Sequence, residues 1–280
     1  MSKLLLSGPV GTMLAPFSKG LGVCDFLNTE APEKVFAMHR AYIEAGADII
    51  TTNTFNSNRA VLATHSSAIS LYHLNAKAVS IAREAIEMAA PARHIFVSGL
   101  IGAPPPNAKD VQGAFREQAE ALIESGADII QIETLYDSKE AAAALRGIRK
   151  AIEETPGDVK LFASATATPD SHLPSGESLH RFVEIAEENG ADLIGLNCGF
   201  GPEKMRAPLR QLISLTSARL LYYPAASAPG RFSYSPEEFA MQMSEAIGEP
   251  RVAVAGGCCG ATEAHIRRLR EHIDNSISGE

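Results

Sequence analysis

The chain reads as an α/β protein, a (β/α)8 barrel built as one domain over residues 1–280. Two observations predict this. The first is an internal echo: EAGADIITTNTF begins at Glu44, ESGADIIQIETL at Glu124 and ENGADLIGLNC at Glu188. In each, a helical-looking segment ends at a glycine (Gly46, Gly126, Gly190) suited to a left-handed cap, and an apolar strand follows at once. The second is arithmetic. The echo glycines are 80 and 64 residues apart, the spacing of every second unit in an alternating chain. Eight strand–helix units in 280 residues average 35 each, which suits this barrel.

The elements follow in order. KLLLSG (3–8) is the first strand and the first echo supplies the second. HIFVSGLIG (94–102) is the third, the second echo the fourth, and KLFASATAT (160–168) the fifth. The third echo is the sixth, followed by LLYYPAA (220–226) and RVAVAGG (251–257). Between and after them lie PEKVFAMHRAYIEA, LYHLNAKAVSIAREAIEMA, GAFREQAEALIES, SKEAAAALRGIRKAIEE, SLHRFVEIAEEN, EKMRAPLRQLISL, SPEEFAMQMSEAI and TEAHIRRLREHI, all with helical periodicity. Ser138, Ser235 before Pro236, and Thr262 are expected helix caps. A doubly wound open sheet is the runner-up, but LSGPVGTM has no helical pattern after its glycines, as a phosphate loop would require. APPPNAKD (103–110) is the only proline cluster, and no linker divides the chain.

Composition narrows the function. A net charge of −8 without any basic run argues against nucleic acid or an anionic membrane as the partner. Four cysteines, Cys24, Cys198, Cys258 and Cys259, are too few and too oddly spaced for a disulfide framework, so a reduced, cytoplasmic setting is expected. The apolar run near the N-terminus is too short for a signal peptide, and no stretch reaches the length of a membrane span.

Chemistry in such a barrel gathers at the C-terminal ends of the strands. Those ends read SGPVGT (7–12), TTNTF (51–55), QIET (131–134), SATAT (164–168), GLNCG (195–199) and AGGCCG (255–260). Three of the four cysteines therefore share one face. Counted from the echo glycine, Asn53, Glu133 and Asn197 have one rank, and Thr54, Thr134 and Cys198 the next, so Glu133 and Cys198 should stand at similar height. Cys198, Cys258 and Cys259 have two readings: small buried filler, or three soft ligands for Zn²⁺ with one position open. An open three-thiolate zinc suits a thiol substrate, because ligation removes the thiol proton. Glu133 would hold an ammonium group or cap the helix near Ser138. Cys24 reads as packing and His172 as a surface-loop residue, although either would be needed as a fourth ligand in a closed, non-catalytic zinc site. A metal-free alternative uses Glu133 as base with Asn53 and Asn197 as donors. Tyr222 and Tyr223 on strand seven read as core packing, with the alternative that one of them faces the mouth.

GLNC, GGCCG, TNTF and the IET strand end, with SPEEFA before the last strand and GGCCGATEAHIRRL after it, resemble the homocysteine S-methyltransferase family, over residues 3 to 272. That zinc-dependent barrel is also the first module of cobalamin-dependent methionine synthase. The resemblance implies that Cys198, Cys258 and Cys259 ligate zinc and form the catalytic centre. It implies that an acceptor thiol joins them, and that Glu133 receives the amino group of homocysteine, giving methionine. It makes Ser7, Gly8, Asn53 and Thr54 candidate substrate contacts. A methyl donor (sulfonium, ammonium, methylcobalamin or a similar carrier) would approach from the mouth. One barrel fills these residues, so folate, cobalamin and reactivation modules are not expected. The donor is then either a small molecule or a separate corrinoid or methyl-carrier protein.

The chain departs from the family at three points. Ser7 stands where the family usually has aspartate, Pro9 follows Gly8 without a backbone N–H, and after strand seven the chain reads Pro224, Ala225, Ala226, Ser227 where the family often reads Pro-Asn-Ala-Gly, so that asparagine is absent. These changes touch amino-acid recognition and leave the cysteines intact, so an acceptor thiol other than homocysteine is expected.

Overall fold

In the computed structural model, which describes residues 3–63, 70–105 and 108–278, eight parallel strands close into a ring. They are β1 (Leu4–Leu5), β2 (Ile49–Thr51), β3 (Phe96–Ile101), β4 (Ile129–Leu135), β5 (Lys160–Ala165), β6 (Leu193–Cys198), β7 (Leu220–Pro224) and β10 (Val252–Ala255). A small antiparallel hairpin, β8 (Ser227–Ala228) and β9 (Phe232–Ser233), sits between β7 and β10. The ring order is β1-β10-β7-β6-β5-β4-β3-β2. A parallel bridge between Leu6 and Ile49 joins its two ends, with the Ser7 N–H donating to the Ile49 carbonyl at 2.8 Å. The expected barrel is therefore present, and the open-sheet alternative is not. Pro106 and Asn107 of the proline cluster lie outside the described residues.

Two apolar layers hold it. Leu6, Ile49, Ile129, Phe162, Leu193, Leu221 and Val254, one or more from most strands, fill the barrel interior. A larger cluster packs the outer faces of the strands against the helices, whose apolar stripes the sequence periodicity marks. Among the described residues no helix is long and apolar enough to cross a membrane.

The three echoes are one structural device used three times. Gly46, Gly126 and Gly190 have φ of 102°, 94° and 64°. The residue after each donates back to a carbonyl five positions earlier (Ala47 to Tyr42, Ala127 to Leu122, Ala191 to Ala186), which ends each helix in a Schellman motif. The aspartate that comes next clamps the neighbouring strand. The Asp48, Asp128 and Asp192 carboxylates accept from Leu5, Val97 and Leu161 N–H at 2.8, 2.7 and 2.8 Å. Their own N–H groups donate to the carbonyls of the same three residues. Each GAD thus ties an odd strand to the even one beside it, at the end of the barrel remote from the cysteines.

Two expectations are corrected. Ser138 is not the cap of its helix. Asp137 takes that place and accepts from Glu140 N–H at 3.0 Å, while Ser138 is held by Glu177. SGPVGT does lead into a helix, but one of five residues, Val10–Leu14. Ser235 forms a full capping box with Glu238, as Pro236 at the first helical position favours. Thr262 stands just before the helix Glu263–Ser278, as expected of a cap: its carbonyl accepts from Ile266 N–H at 3.1 Å and its hydroxyl pairs with His265 Nδ1 at 3.0 Å.

Asp192→Ala should strand the buried Leu161 N–H and lower the unfolding free energy by about 1–3 kcal/mol. Denaturant titration measures this, and the metal content of the folded protein should not change.

Candidate active site

The three cysteines meet at the barrel mouth. Cys198, Cys258 and Cys259 place their sulfurs within 4.8 Å of one another, and Cys198 and Cys259 sulfurs are 3.4 Å apart. The sequence separates them by about sixty residues; the ladder brings them together. Cys198 pairs with Pro224 in the β6–β7 register, and Cys258 N–H donates to the Pro224 carbonyl at 2.8 Å. The Cys259 carbonyl then accepts from Ala226 and Ser227 N–H at 2.8 and 3.0 Å. Ala225, where the family carries asparagine, sits buried in a parallel bridge with Cys258.

Glycines shape the turn for two reasons. Gly260 has φ of 79°, the left-handed backbone that lets the chain reverse after Cys259. Gly256 and Gly257 do not. They are small because a Cβ would stand 2.9 Å from Leu6 Cβ and 2.7 Å from Ala261 Cβ respectively.

Cys198 carries strain. Its φ is 56°, and Thr134, its counterpart on β4, has φ of 62°. Such values are uncommon without glycine and rare for a β-branched residue. The Asn197 side chain stabilises the arrangement from between: its Oδ1 accepts from Thr134 N–H at 2.9 Å and its Nδ2 donates to Thr134 Oγ1 at 2.9 Å. Regular alternation would send neighbouring side chains to opposite faces. The left-handed residues break it, so Glu133 and Thr134 both line the cavity, and Asn197 and Cys198 both approach the other cysteines.

A cavity of about 500 Å³ opens over this centre. Glu133, Ser7, Gly8 and Asn53 line it, and so does Cys24. Thr54 does not. Its hydroxyl, fully buried, donates to the Leu100 carbonyl at 2.7 Å and works as a strand-end brace. The Asn53 amide nitrogen is already engaged, donating to the Cys24 carbonyl at 2.8 Å and to Asn28 Oδ1 at 3.3 Å. Ser7 is similarly occupied: its hydroxyl lies 3.3 Å from Thr51 Oγ1 and accepts from Thr51 N–H at 3.2 Å. Cys24 stands apart from the thiol cluster and donates to Ser18 Oγ. His172 is exposed beside Asp170 and is not on the cavity wall.

Glu133 does not cap a helix. Its Oε2 accepts from Tyr223 O–H at 3.0 Å and from Gln131 Nε2 at 3.2 Å. Tyr223 also contacts Ser164 Oγ at 2.6 Å, and Ser164 donates to Asn197 Oδ1 at 3.0 Å, so one polar network runs beneath the thiols from β4 to β7. Of the two strand-seven tyrosines, Tyr223 is thus the one that faces the mouth, and a core reading holds only for Tyr222. The available signal was its place one residue before the strand end, where side chains reach the mouth. Burial raises the Glu133 carboxyl to about 7, against the lowering effect of the Tyr223 hydrogen bond. Sulfur contacts with Cys198 and Cys258 pull the Cys259 thiol down to about 3, while the contacts with Cys198 and Cys259, and then burial, push Cys258 well up. The trio therefore favours a shared negative charge.

A (β/α)8 barrel with three convergent thiols and a half-buried carboxylate at the mouth is the class that fold and site define. The family model described as homocysteine S-methyltransferase matches residues 4–273, and the chain belongs to that family. Methionine synthase of Mycobacterium tuberculosis (strain ATCC 25618 / H37Rv) is 32% identical over 275 residues, covering 92% of this chain and 23% of that protein. The Mycobacterium leprae (strain TN) methionine synthase is 30% identical over 279 residues, covering 93% and 23%. The chain thus spans about a quarter of the length of these curated relatives. The homocysteine methyltransferase MmuM from Escherichia coli, in its apo form, has a similar structure: TM-score 0.73 at 25% identity, over 97% of this chain and 96% of that one. Its metallated form gives a TM-score of 0.76 at 24% identity over the same shares.

Two measurements check the electrostatics. In metal-free protein, folded Glu133 protonates near 7 and the unfolded residue near 4.5. Between these values the unfolded chain has released a proton that the folded one keeps, so this group's contribution to stability falls as pH rises through that window. Glu133→Gln should remove that fall, seen as a stability difference from wild type that grows from pH 4.5 to 7. Tyr223→Phe removes a donor to the carboxylate and should move the Glu133 midpoint upward, read by carboxyl NMR.

Proposed function

We propose that the protein is a zinc-dependent S-methyltransferase that moves a methyl group onto an acceptor thiol, homocysteine or a related compound, giving methionine when the acceptor is homocysteine. The convergence of Cys198, Cys258 and Cys259 within 4.8 Å carries this reading. Zn–S bonds of about 2.3 Å in a tetrahedral site need sulfurs about 3.8 Å apart, so the donor set fits the ion in type and spacing. Three protein ligands leave the fourth position to a substrate. When bound, the ion would take up the acceptor sulfur as a thiolate, nucleophilic at neutral pH where a free thiol is only a few per cent ionised.

The chain's own residues do the rest. The three cysteines hold the ion at the floor of the cavity. Glu133, steadied by Tyr223 and Gln131, would receive the acceptor's ammonium group. Cavity walls of Leu6, Val10, Phe55 and Leu100 keep water from the reacting sulfur. In the transfer, the acceptor S–CH3 bond forms as the donor–CH3 bond breaks, the electron pair stays with the donor, and the acceptor's proton leaves to solvent. The donor is a small methylated molecule or a separate corrinoid or methyl-carrier protein. Four free thiols suit a reduced cytoplasmic setting.

A specific observation favours an acceptor other than homocysteine. Ser7 is uncharged and its hydroxyl is already tied to Thr51, so it adds no charge to an ammonium clamp.

Purified protein should carry about one zinc per chain. Cys258→Ser should lose both the zinc and thiol-dependent methyl transfer, measured by elemental analysis and by assay with a panel of thiols and donors. Protein that folds with no zinc and binds none when supplied overturns the reading. In the same panel, homocysteine winning kcat/KM by a wide margin would show that Ser7 does not redirect the acceptor.

A further inference from the structure

A second carboxylate lines the cavity, and neither the motifs nor the zinc chemistry uses it. Asp25 lies in the 3-10 turn Cys24–Phe26 after β1 and is 1% exposed. Its Oδ1 accepts from Asn56 N–H at 2.7 Å and from Ser57 Oγ at 2.8 Å. Among the described residues its Oδ2 takes one long side-chain contact, 3.5 Å, from Asn56 Nδ2. No ion pair involving Asp25 is formed among the described residues. Buried acids without a cationic partner are rare, because desolvation of the charge is uncompensated. Burial accordingly raises its carboxyl, with the Ser57 and Asn56 hydrogen bonds acting against that rise.

The rest of the wall makes the deficit larger. Asp25 and Glu133 share a cavity with three thiols, and among the described residues no lysine, arginine or histidine lines it. Three thiolates around a divalent zinc would add one more negative charge. The two carboxylates are also held by different parts of the ring. Asn56 and Ser57, which fix Asp25, follow β2, and β2 lies four strands from β6 in either direction. Glu133 stands on β4, two strands from β6. Cys258 and Cys259 follow β10, two strands from β2 and four from β4, so Asp25 and Glu133 flank the thiol cluster from opposite sides of the mouth.

We propose that the Asp25 carboxylate, through its open Oδ2, is a cation-binding subsite that takes a positively charged group of a small molecule bound in this cavity. This rests on the methyltransferase reading and deepens it. The charge is either the ammonium of the acceptor, replacing the aspartate that Ser7 lacks, or the onium centre of the methyl donor. The shared chemistry is a compact cation facing a preformed carboxylate, with Asn56 and Ser57 leaving one oxygen free for it.

Calorimetric titration of the zinc-loaded protein with two matched pairs tests this. Homocysteine against 4-mercaptobutanoate isolates the ammonium; S-methylmethionine against methionine isolates the sulfonium. Asp25→Asn should weaken the cationic member of one pair by roughly 10- to 100-fold and its partner little, the range for loss of a charged hydrogen bond. Which pair responds identifies the source. Asp25→Ser, which keeps a hydroxyl near Asn56 and Ser57, supplies the same comparison if the asparagine variant misfolds. Unchanged affinity for both cations, or equal loss for both members of each pair, overturns the proposal and leaves Asp25 as a brace for the loop after β2. Zinc content and 4-mercaptobutanoate binding in the same samples report separately on the methyltransferase reading, so the two can fail independently.

Discussion

The backbone of Pro224 is the constraint on which the site depends. It is the register partner of Cys198 on one side, and its carbonyl holds Cys258 N–H on the other. A parallel ladder offers the end of a strand to both neighbours at once. β7 uses that to set two cysteine-bearing ends at one height. Proline has no N–H to give, which costs nothing at the last residue of a strand. Everything else in the centre adjusts the side chains that this backbone delivers.

The adjustment is polar and strained where the framework is apolar and regular. Cys198 and Thr134 adopt left-handed backbone, and Asn197 bonds to both main chain and side chain of Thr134 to hold it. Strain of this kind persists only where surrounding contacts over-determine it. The network from Gln131 through Glu133, Tyr223 and Ser164 to Asn197 supplies those contacts. It also sets the electrostatics: Tyr223 moderates a carboxyl that burial has raised, and the sulfurs share a charge. The opposite end of the barrel is organised for stability, by the three Schellman turns and the three aspartate clamps.

The fold was legible because it repeats. Helix, capping glycine, aspartate and apolar strand occur three times, and each part has a local physical cause. Helix starts were less so: the cap near Ser138 fell to its neighbour Asp137, a choice set by which side chain turns back on the helix. The cysteines were legible as a set because they stand at strand ends of one face. Thr54 was not, and of the two strand-seven tyrosines the sequence did not say which faces the mouth. Thr54 follows a pocket residue in sequence yet points to the Leu100 carbonyl, and Tyr223 looks like core yet hydrogen-bonds Glu133.

By itself, then, the sequence determined the barrel, the face on which its chemistry gathers and the three thiols at its centre, because periodicity, capping and ligand type are properties of short segments. The tertiary structure decided which oxygen and sulfur atoms face one another. It turned Tyr223 onto Glu133, gave Ser7 to Thr51, and left Asp25 buried with no cationic partner among the described residues. Those outcomes depend on the register of strands far apart in the chain and on a backbone conformation at Thr134 and Cys198 that no local pattern encodes.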